Sequence, residues 1–142
     1  MSEWDPEAFE NALLEDMRAH GGQITTGPMA GQTILAMTSK GAKTGQPRRR
    51  ILTFSLDAGD YIVAGTASGS PKDPKWLANL RANPKVSVEA GGRVAAATAT
   101  IETGAERDRL WQQHVAALPW FAEYPEKTGR VIPMVRLSPR AG

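Results

Sequence analysis

The sequence predicts an α+β domain, a mostly antiparallel sheet of about six strands with helices set between them. Three observations carry this. Short runs rich in Thr, Ile, Val and Leu recur along the chain, and several are joined by tight turns containing Gly or Asp. Two Asp-Pro pairs, Asp5-Pro6 and Asp73-Pro74, each precede apolar residues at helical spacing. The length, 142 residues, suits one domain with a single core.

Each element follows from local chemistry. Asp5-Pro6-Glu7 supplies an N-cap, a proline at the first helical position and an acid in the first turn. Phe9, Leu13, Leu14 and Met17 follow, and Gly21-Gly22 ends the pattern, so an amphipathic helix runs from about Pro6 to His20. Gln32–Ser39 reads as a strand, Arg50–Leu56 as the next, and Tyr61–Thr66 as its return across an Asp57–Asp60 turn. Residues 32–66 are therefore expected to form an antiparallel meander. Ser68–Asp73 is a loop of small and polar residues, and Asp73-Pro74 opens a helix through Trp76, Leu77 and Leu80 that Asn83-Pro84 stops. Val86–Glu89 and Arg93–Glu102 form a hairpin turned at Gly91-Gly92. Thr103-Gly104-Ala105-Glu106 matches a capping box for a helix through Leu110, Trp111, His114 and Val115, ended near Pro119. An aromatic stretch and a last strand, Ile132–Leu137, complete the chain.

Composition closes off several function classes. With no cysteine, disulfides, thiolate catalysis and cysteine-ligated metals are excluded. The charge is 17 basic minus 15 acidic, or +2, too small an excess for a nucleic-acid binder. No apolar run is long enough for an integral membrane span, and the acidic N-terminus lacks the apolar core of a signal peptide, which predicts a cytoplasmic protein. The two histidines, His20 and His114, lie far apart without a ligand-spaced partner, so no metal site is expected. His114 reads as a surface or half-buried helix residue rather than a catalyst. No G-x-G-x-x-G follows a strand, no G-x-S-x-G elbow is present, and Gly41-Ala42-Lys43-Thr44 has the wrong order for a phosphate loop. Any chemistry would be carried by a cofactor.

Positive charge is concentrated in one segment. Residues 39–50, SKGAKTGQPRRR, hold Lys40, Lys43, Arg48, Arg49 and Arg50. Cations on a turn between adjacent strands can converge on an anion, and Gly41 and Gly45 let backbone N–H groups face it. Arg48 and Arg50 alternate with Arg49, so at most two of the three share a face. A solvated hairpin tip has the same composition. A second segment, Gly65-Thr66-Ala67-Ser68-Gly69-Ser70, leads into a helix start bearing Lys72, Lys75 and Trp76. It offers backbone donors and a positive dipole end, while Trp76 could stack on a planar ring or sit in the core. A third holds Trp120, Phe121 and Tyr124, which with Trp111 are four of the nine aromatics; it reads as a lid over a flat ligand or a loop packed on the core.

Together these segments resemble the deazaflavin-dependent nitroreductase family, small actinobacterial proteins that bind coenzyme F420 on a split β-barrel. The resemblance runs from about Met37 to Pro139. It rests on TSKGAKTGQPR at 38–48, GTASGSPKDPKWLANLRANPKV at 65–86, TGAER at 103–107 and EYPEKTGRVIP at 123–133. It implies an α+β split β-barrel of the FMN-binding type, with six mostly antiparallel strands over residues 31–142 and the N-terminal helix and lead-in over 1–30. It also implies that Lys43 and Arg48 hold the phosphate and polyglutamate tail, with Thr44, Gly45, Gln46 and Pro47 as the cradle. By the same resemblance Met37, Thr38, Gly65, Thr66, Ala67, Lys75, Trp76 and Asn79 complete the cofactor site, and Leu118, Trp120, Phe121 and Tyr124 close over the substrate.

Two segments depart from the family pattern. Relatives often carry Ser-Lys where this chain has Thr66-Ala67, and Lys72 is the cation nearest to that gap in sequence. Members that activate nitroimidazoles have lid tyrosines where this chain has Leu118 and Phe121, leaving Tyr124 as the one lid tyrosine, with the proton expected from solvent or a side chain. The resemblance then implies hydride transfer from reduced F420 to an α,β-unsaturated ester, lactone or enone, rather than nitroreduction. Expected partners are a small-molecule substrate and, at most, a second copy of the chain, as monomer or homodimer. The alternatives are an F420- or apolar-ligand-binding module without turnover, and an FMN-dependent oxidoreductase of the same fold.

Overall fold

A computed structural model describes residues 6–25, 34–65, 74–91, 93–124 and 131–139. The elements are α1 (Pro6–Ala19), β1 (Ile34–Lys40), β2 (Pro47–Thr53), β3 (Ser55–Asp57), β4 (Asp60–Ala64), α2 (Lys75–Ala82), β5 (Lys85–Ala90), β6 (Arg93–Glu102), α3 (Gly104–Ala117), a 3₁₀ turn (Pro119–Glu123) and β7 (Met134–Pro139). All seven strands join one antiparallel sheet in the order β2-β1-β5-β6-β7-β4-β3.

The expected meander over residues 32–66 is corrected. The run Arg50–Leu56 is not one strand: it breaks at Phe54, giving β2 and β3 and raising the count from six to seven. β2 pairs with β1, β3 pairs with β4, and the two halves stand at opposite ends of the strand order. Strands one residue apart in sequence can be first and last in a sheet only if the sheet curls until its edges meet. Phe54 is thus the seam of the split β-barrel, where it packs edge-on against Tyr61 at 5.1 Å.

Alternation along the strands sorts side chains into three buried layers. Leu35 and Met37 of β1, Val63 of β4, Val86 and Val88 of β5, Ala97 and Ala99 of β6, and Val135 and Leu137 of β7 fill the barrel. Trp76, Leu77 and Leu80 of α2 plug it. Ile34 and Ala36 point the other way, under Leu13, Leu14 and Met17 of α1. Ile62, Ala64 and Met134 face out beneath Leu110 of α3 and Phe121 of the 3₁₀ turn. β1 and β4 are therefore apolar on both faces, which is why their text reads as near-continuous hydrophobic runs.

Helix ends show where local signals held. α1 closes as expected: the Gly22 N–H reaches back to the Met17 carbonyl at 2.9 Å, and Gly22 has φ 102°. A Cβ at Gly22 would lie 3.1 Å from Gly91 Cα, so α1 ends against the β5–β6 turn. Asp5 and Asp73 lie outside the described residues, and Pro74 is the N-cap of α2 rather than its first helical residue. The capping box before α3 is not formed: the Thr103 side chain makes no cap bond, and Glu106 is taken by Arg109 and Arg136. The aromatic stretch after α3 is the 3₁₀ turn, started by Pro119.

Candidate functional site

The β1–β2 hairpin carries the basic segment. Its register sets Lys40 opposite Pro47, Ser39 opposite Arg48, Thr38 opposite Arg49 and Met37 opposite Arg50. The connecting loop is closed by its own backbone: Gly41 N–H donates to the Gln46 carbonyl at 2.8 Å, and Gly45 N–H to the Gly41 carbonyl at 2.9 Å. Gly45 has φ 71°, a left-handed conformation that suits glycine. The Thr44 hydroxyl accepts from Gln46 N–H at 3.2 Å, and Asn79 Oδ1 accepts from Ala42 N–H at 2.9 Å. Asn79 therefore moors the loop to α2.

Between hairpin and helix lies an open cleft of about 610 Å³, lined by Gly41, Ala42, Lys43, Thr44, Arg48, Arg49, Arg50, Lys75, Trp76, Ala78 and Asn79. Strand parity explains the cations. Leu52 of β2 points into the barrel and Ile51 points toward α1, so Arg48 and Arg50 fall on the inner side and Arg49 on the outer. Arg49 accordingly turns to α1, donating to Asn11 Oδ1 at 3.0 Å and lying 3.5 Å from Glu10. Lys43, Arg48, Arg50 and Lys75 have no acidic partner among the described residues. By contrast Arg18, Arg49, Arg107, Arg109 and Arg136 are each paired. Four cations brought together without counter-charge repel one another, a cost that an incoming polyanion reverses.

Ser39, cross-strand from Arg48, is 3% exposed and does not itself line the cleft; its hydroxyl has no hydrogen-bond partner among the described residues. The donor set and the volume thus fit a phosphate-bearing ligand with a flat apolar portion, since Trp76, 5% exposed and rooted in the barrel core, forms the inner wall. Trp76 is a core residue and a cleft residue at once.

The structure brings Lys43, Thr44, Arg48, Lys75, Trp76 and Asn79 together in this cleft. Gly45, Gln46 and Pro47 are exposed in or beside the loop without lining it. The Met37 side chain is wholly inside the barrel, and Thr38, half-buried, is on the α1 side of β1. Gly65 is buried at the end of β4, its N–H donating to the Pro133 carbonyl at 2.9 Å. A Cβ there would lie 3.0 Å from Leu77 Cδ1, so α2 approaches β4 at that point. Thr66, Ala67 and Lys72 lie outside the described residues.

Phe121 packs in the outer apolar layer with Leu118 and Tyr124 against its edge, while Trp120 is 43% exposed. These four do not line the described cleft; they share the outer apolar layer with Ala64, which precedes Gly65. The expected placement of His114 is corrected: it is fully buried, because Leu110 and His114, one helical turn apart, form the stripe of α3 that faces the sheet. Sequence reading also passed over Ser39, Ala42 and Ala78. The alternation that places Ser39 on the barrel side was present in the text, but the side facing α2 was not.

Comparison with known proteins agrees with this architecture. Residues 12–139 match the family model for F420H(2)-dependent quinone reductase. An F420H(2)-dependent quinone reductase of Mycobacterium tuberculosis (strain ATCC 25618 / H37Rv) is 35% identical over 116 residues, 80% of this chain and 77% of that protein. Among solved structures, an F420-H2 dependent reductase (FDR-A) is 39% identical with TM-score 0.68, covering 74% of this chain and 93% of the other. A structure described as a domain-swapped dimer is 32% identical with TM-score 0.70, covering 94% and 100%.

Proposed function

This chain belongs to the F420H(2)-dependent quinone reductase family, and from that premise we propose that it uses reduced coenzyme F420 to reduce a flat, electron-poor conjugated carbonyl compound. A quinone is one such acceptor; an enone or an α,β-unsaturated lactone or ester presents the same electron-poor carbon. The observation that carries the reading is the gathering of Lys43, Arg48, Arg50 and Lys75, none with an acidic partner among the described residues, around a cleft walled by Trp76.

Each residue then has a part. Lys43 and Arg48 grip the phosphate and carboxylate tail, with arginine offering two parallel bonds and lysine a point charge. Thr44, Gly45, Gln46 and Pro47 hold the loop's shape, and Asn79 keeps it against α2. Trp76 and Gly65 border the ring, and Met37 supports Trp76 from β1 inside the barrel. Bound there, reduced F420 supplies a hydride from a ring carbon. The chain's contribution is to fix the two planes at reacting distance and to keep water away from them. Leu118, Trp120, Phe121 and Tyr124 close the substrate side. The Tyr124 hydroxyl or solvent delivers the proton that completes the reduction.

The test mixes the protein and reduced F420 with a panel of quinones, enones and unsaturated lactones and follows the absorbance of oxidised cofactor. Acceptor-dependent oxidation with a chemically reduced product is expected. F420 binding with no oxidation by any acceptor would instead make the protein a binding module.

A further inference from the structure

Beneath α3 lies a polar pair that the proposed reaction leaves unused. His114 is fully buried, Ser55 is 7% exposed, and Ser55 Oγ lies 2.7 Å from His114 Nδ1. The other ring nitrogen, Nε2, is buried with no hydrogen-bond partner among the described residues. A neutral imidazole carries one proton. Either the serine donates to Nδ1 and an Nε2–H lacks an acceptor, or Nδ1–H donates to the serine and an Nε2 lone pair is idle. Both arrangements cost stability that apolar side chains of similar size would not.

The pair's neighbours show what it is joined to. The His114 ring stands edge-to-face with Phe121, centroids 4.5 Å apart and planes at 82°. The His114 backbone carbonyl accepts the Leu118 N–H at 2.8 Å, and the Leu118 carbonyl accepts the Phe121 N–H at 3.1 Å. One residue therefore holds the 3₁₀ turn twice, by its carbonyl and by its ring. On the other side, Ser55 belongs to a short strand lashed to α3 residue by residue. The Leu56 carbonyl accepts from Gln113 Nε2 and Asp57 takes Arg109 of α3 at 2.9 Å, while Arg136 of β7 reaches Asp57 at 2.7 Å.

We infer that the Ser55–His114 hydrogen bond is the seat of the 3₁₀ turn, fixing the imidazole plane, through it Phe121, and so the bearing of Trp120 and Tyr124 on the substrate. Both are positioning residues rather than catalytic ones. The inference rests on the reading that 118–124 covers the substrate, and its first test does not need turnover.

Amide hydrogen exchange on the intact protein compares wild type with Ser55→Ala, Ser55→Thr and the paired variant Ser55→Ala/His114→Phe. Exchange over 118–124 is expected to rise about tenfold in Ser55→Ala and in the paired variant while α1 keeps its protection, and Ser55→Thr, which retains a hydroxyl, restores the turn. The paired variant removes both polar partners, so it reads the seat without an unmet buried group. Unchanged exchange over 118–124, or a rise spread evenly over α1 and the turn, overturns the inference. Steady-state kinetics with a soluble quinone follow: KM is expected to rise about tenfold in Ser55→Ala with the F420 Kd unchanged, and an equal rise in both overturns the positioning role. A wild-type protein that binds F420 without reducing any acceptor sinks the reductase reading alone, because the exchange result still decides the seat.

Discussion

Lys43 stands exposed in the hairpin loop with no acidic partner among the described residues, so reversing its charge touches no internal contact. Lys43→Glu is expected to weaken F420 binding by about a hundredfold, a few kcal/mol, with an unchanged melting temperature. Fluorescence titration of the cofactor checks the first part and thermal denaturation the second. His114 gives a pH dependence of definite sign. Burial pushes its pKa down to about 4 from 6.5. Between those values the unfolded chain takes up a proton that the folded chain refuses. Stability therefore falls as pH drops through that window, by about 2 kcal/mol between pH 7 and pH 5. Urea melts at the two pH values check this, and Ser55→Ala/His114→Phe is expected to lose most of the difference. The carboxylates of Asp57, Glu89 and Glu106, held below their usual range chiefly by hydrogen bonds from Arg109 and Arg18, give up their contribution only in more acid solution. At this scale the cationic loop was legible, because Lys43, Arg48 and Arg50 fall within eight residues of text. Ser39 and His114 were not, since burial depends on how distant elements pack, as the hydrogen bond between His114 and Ser55 of β3 illustrates.

Among the elements, the β3–β4 hairpin turns on Ala58 and Gly59, with φ 53° and 86°. Two positive values in a two-residue loop make the tight turn that suits antiparallel strands. Glycine adopts it freely, but an alanine there costs about 1 kcal/mol or more. Ala58→Asn, which tolerates the left-handed region, is expected to raise stability by about 1 kcal/mol, read as a higher melting temperature. The Asp57–Asp60 turn was legible from its residue types. The break at Phe54 was not, because RILTFSL alternates like one continuous strand and only curvature of the whole sheet splits it. The capping box failed for a related reason: Glu106 had better partners in Arg109 and Arg136 than in the backbone N–H it was expected to reach.

For the whole molecule, α1 is held to the barrel mainly by its apolar face. Its ion pairs, Arg18 with Glu89 and Glu10 with Arg49, are partly exposed and screened by solvent, whereas Met17 is fully buried. Met17→Ala is expected to cost about 2–5 kcal/mol by urea denaturation. The mixture of strands and helices was legible from periodicity and turn residues; the order of strands was not, because pairing across the barrel leaves no local mark. One feature of that order reaches beyond the folded state. β7, the last in sequence of the seven described strands, lies between β6 and β4. During synthesis, therefore, the β3–β4 hairpin waits for a neighbour that is made after the other six. The barrel can close only once Met134–Pro139 has been made, and a chain stopped before Met134 would leave two strand edges bare for other nascent chains to pair with.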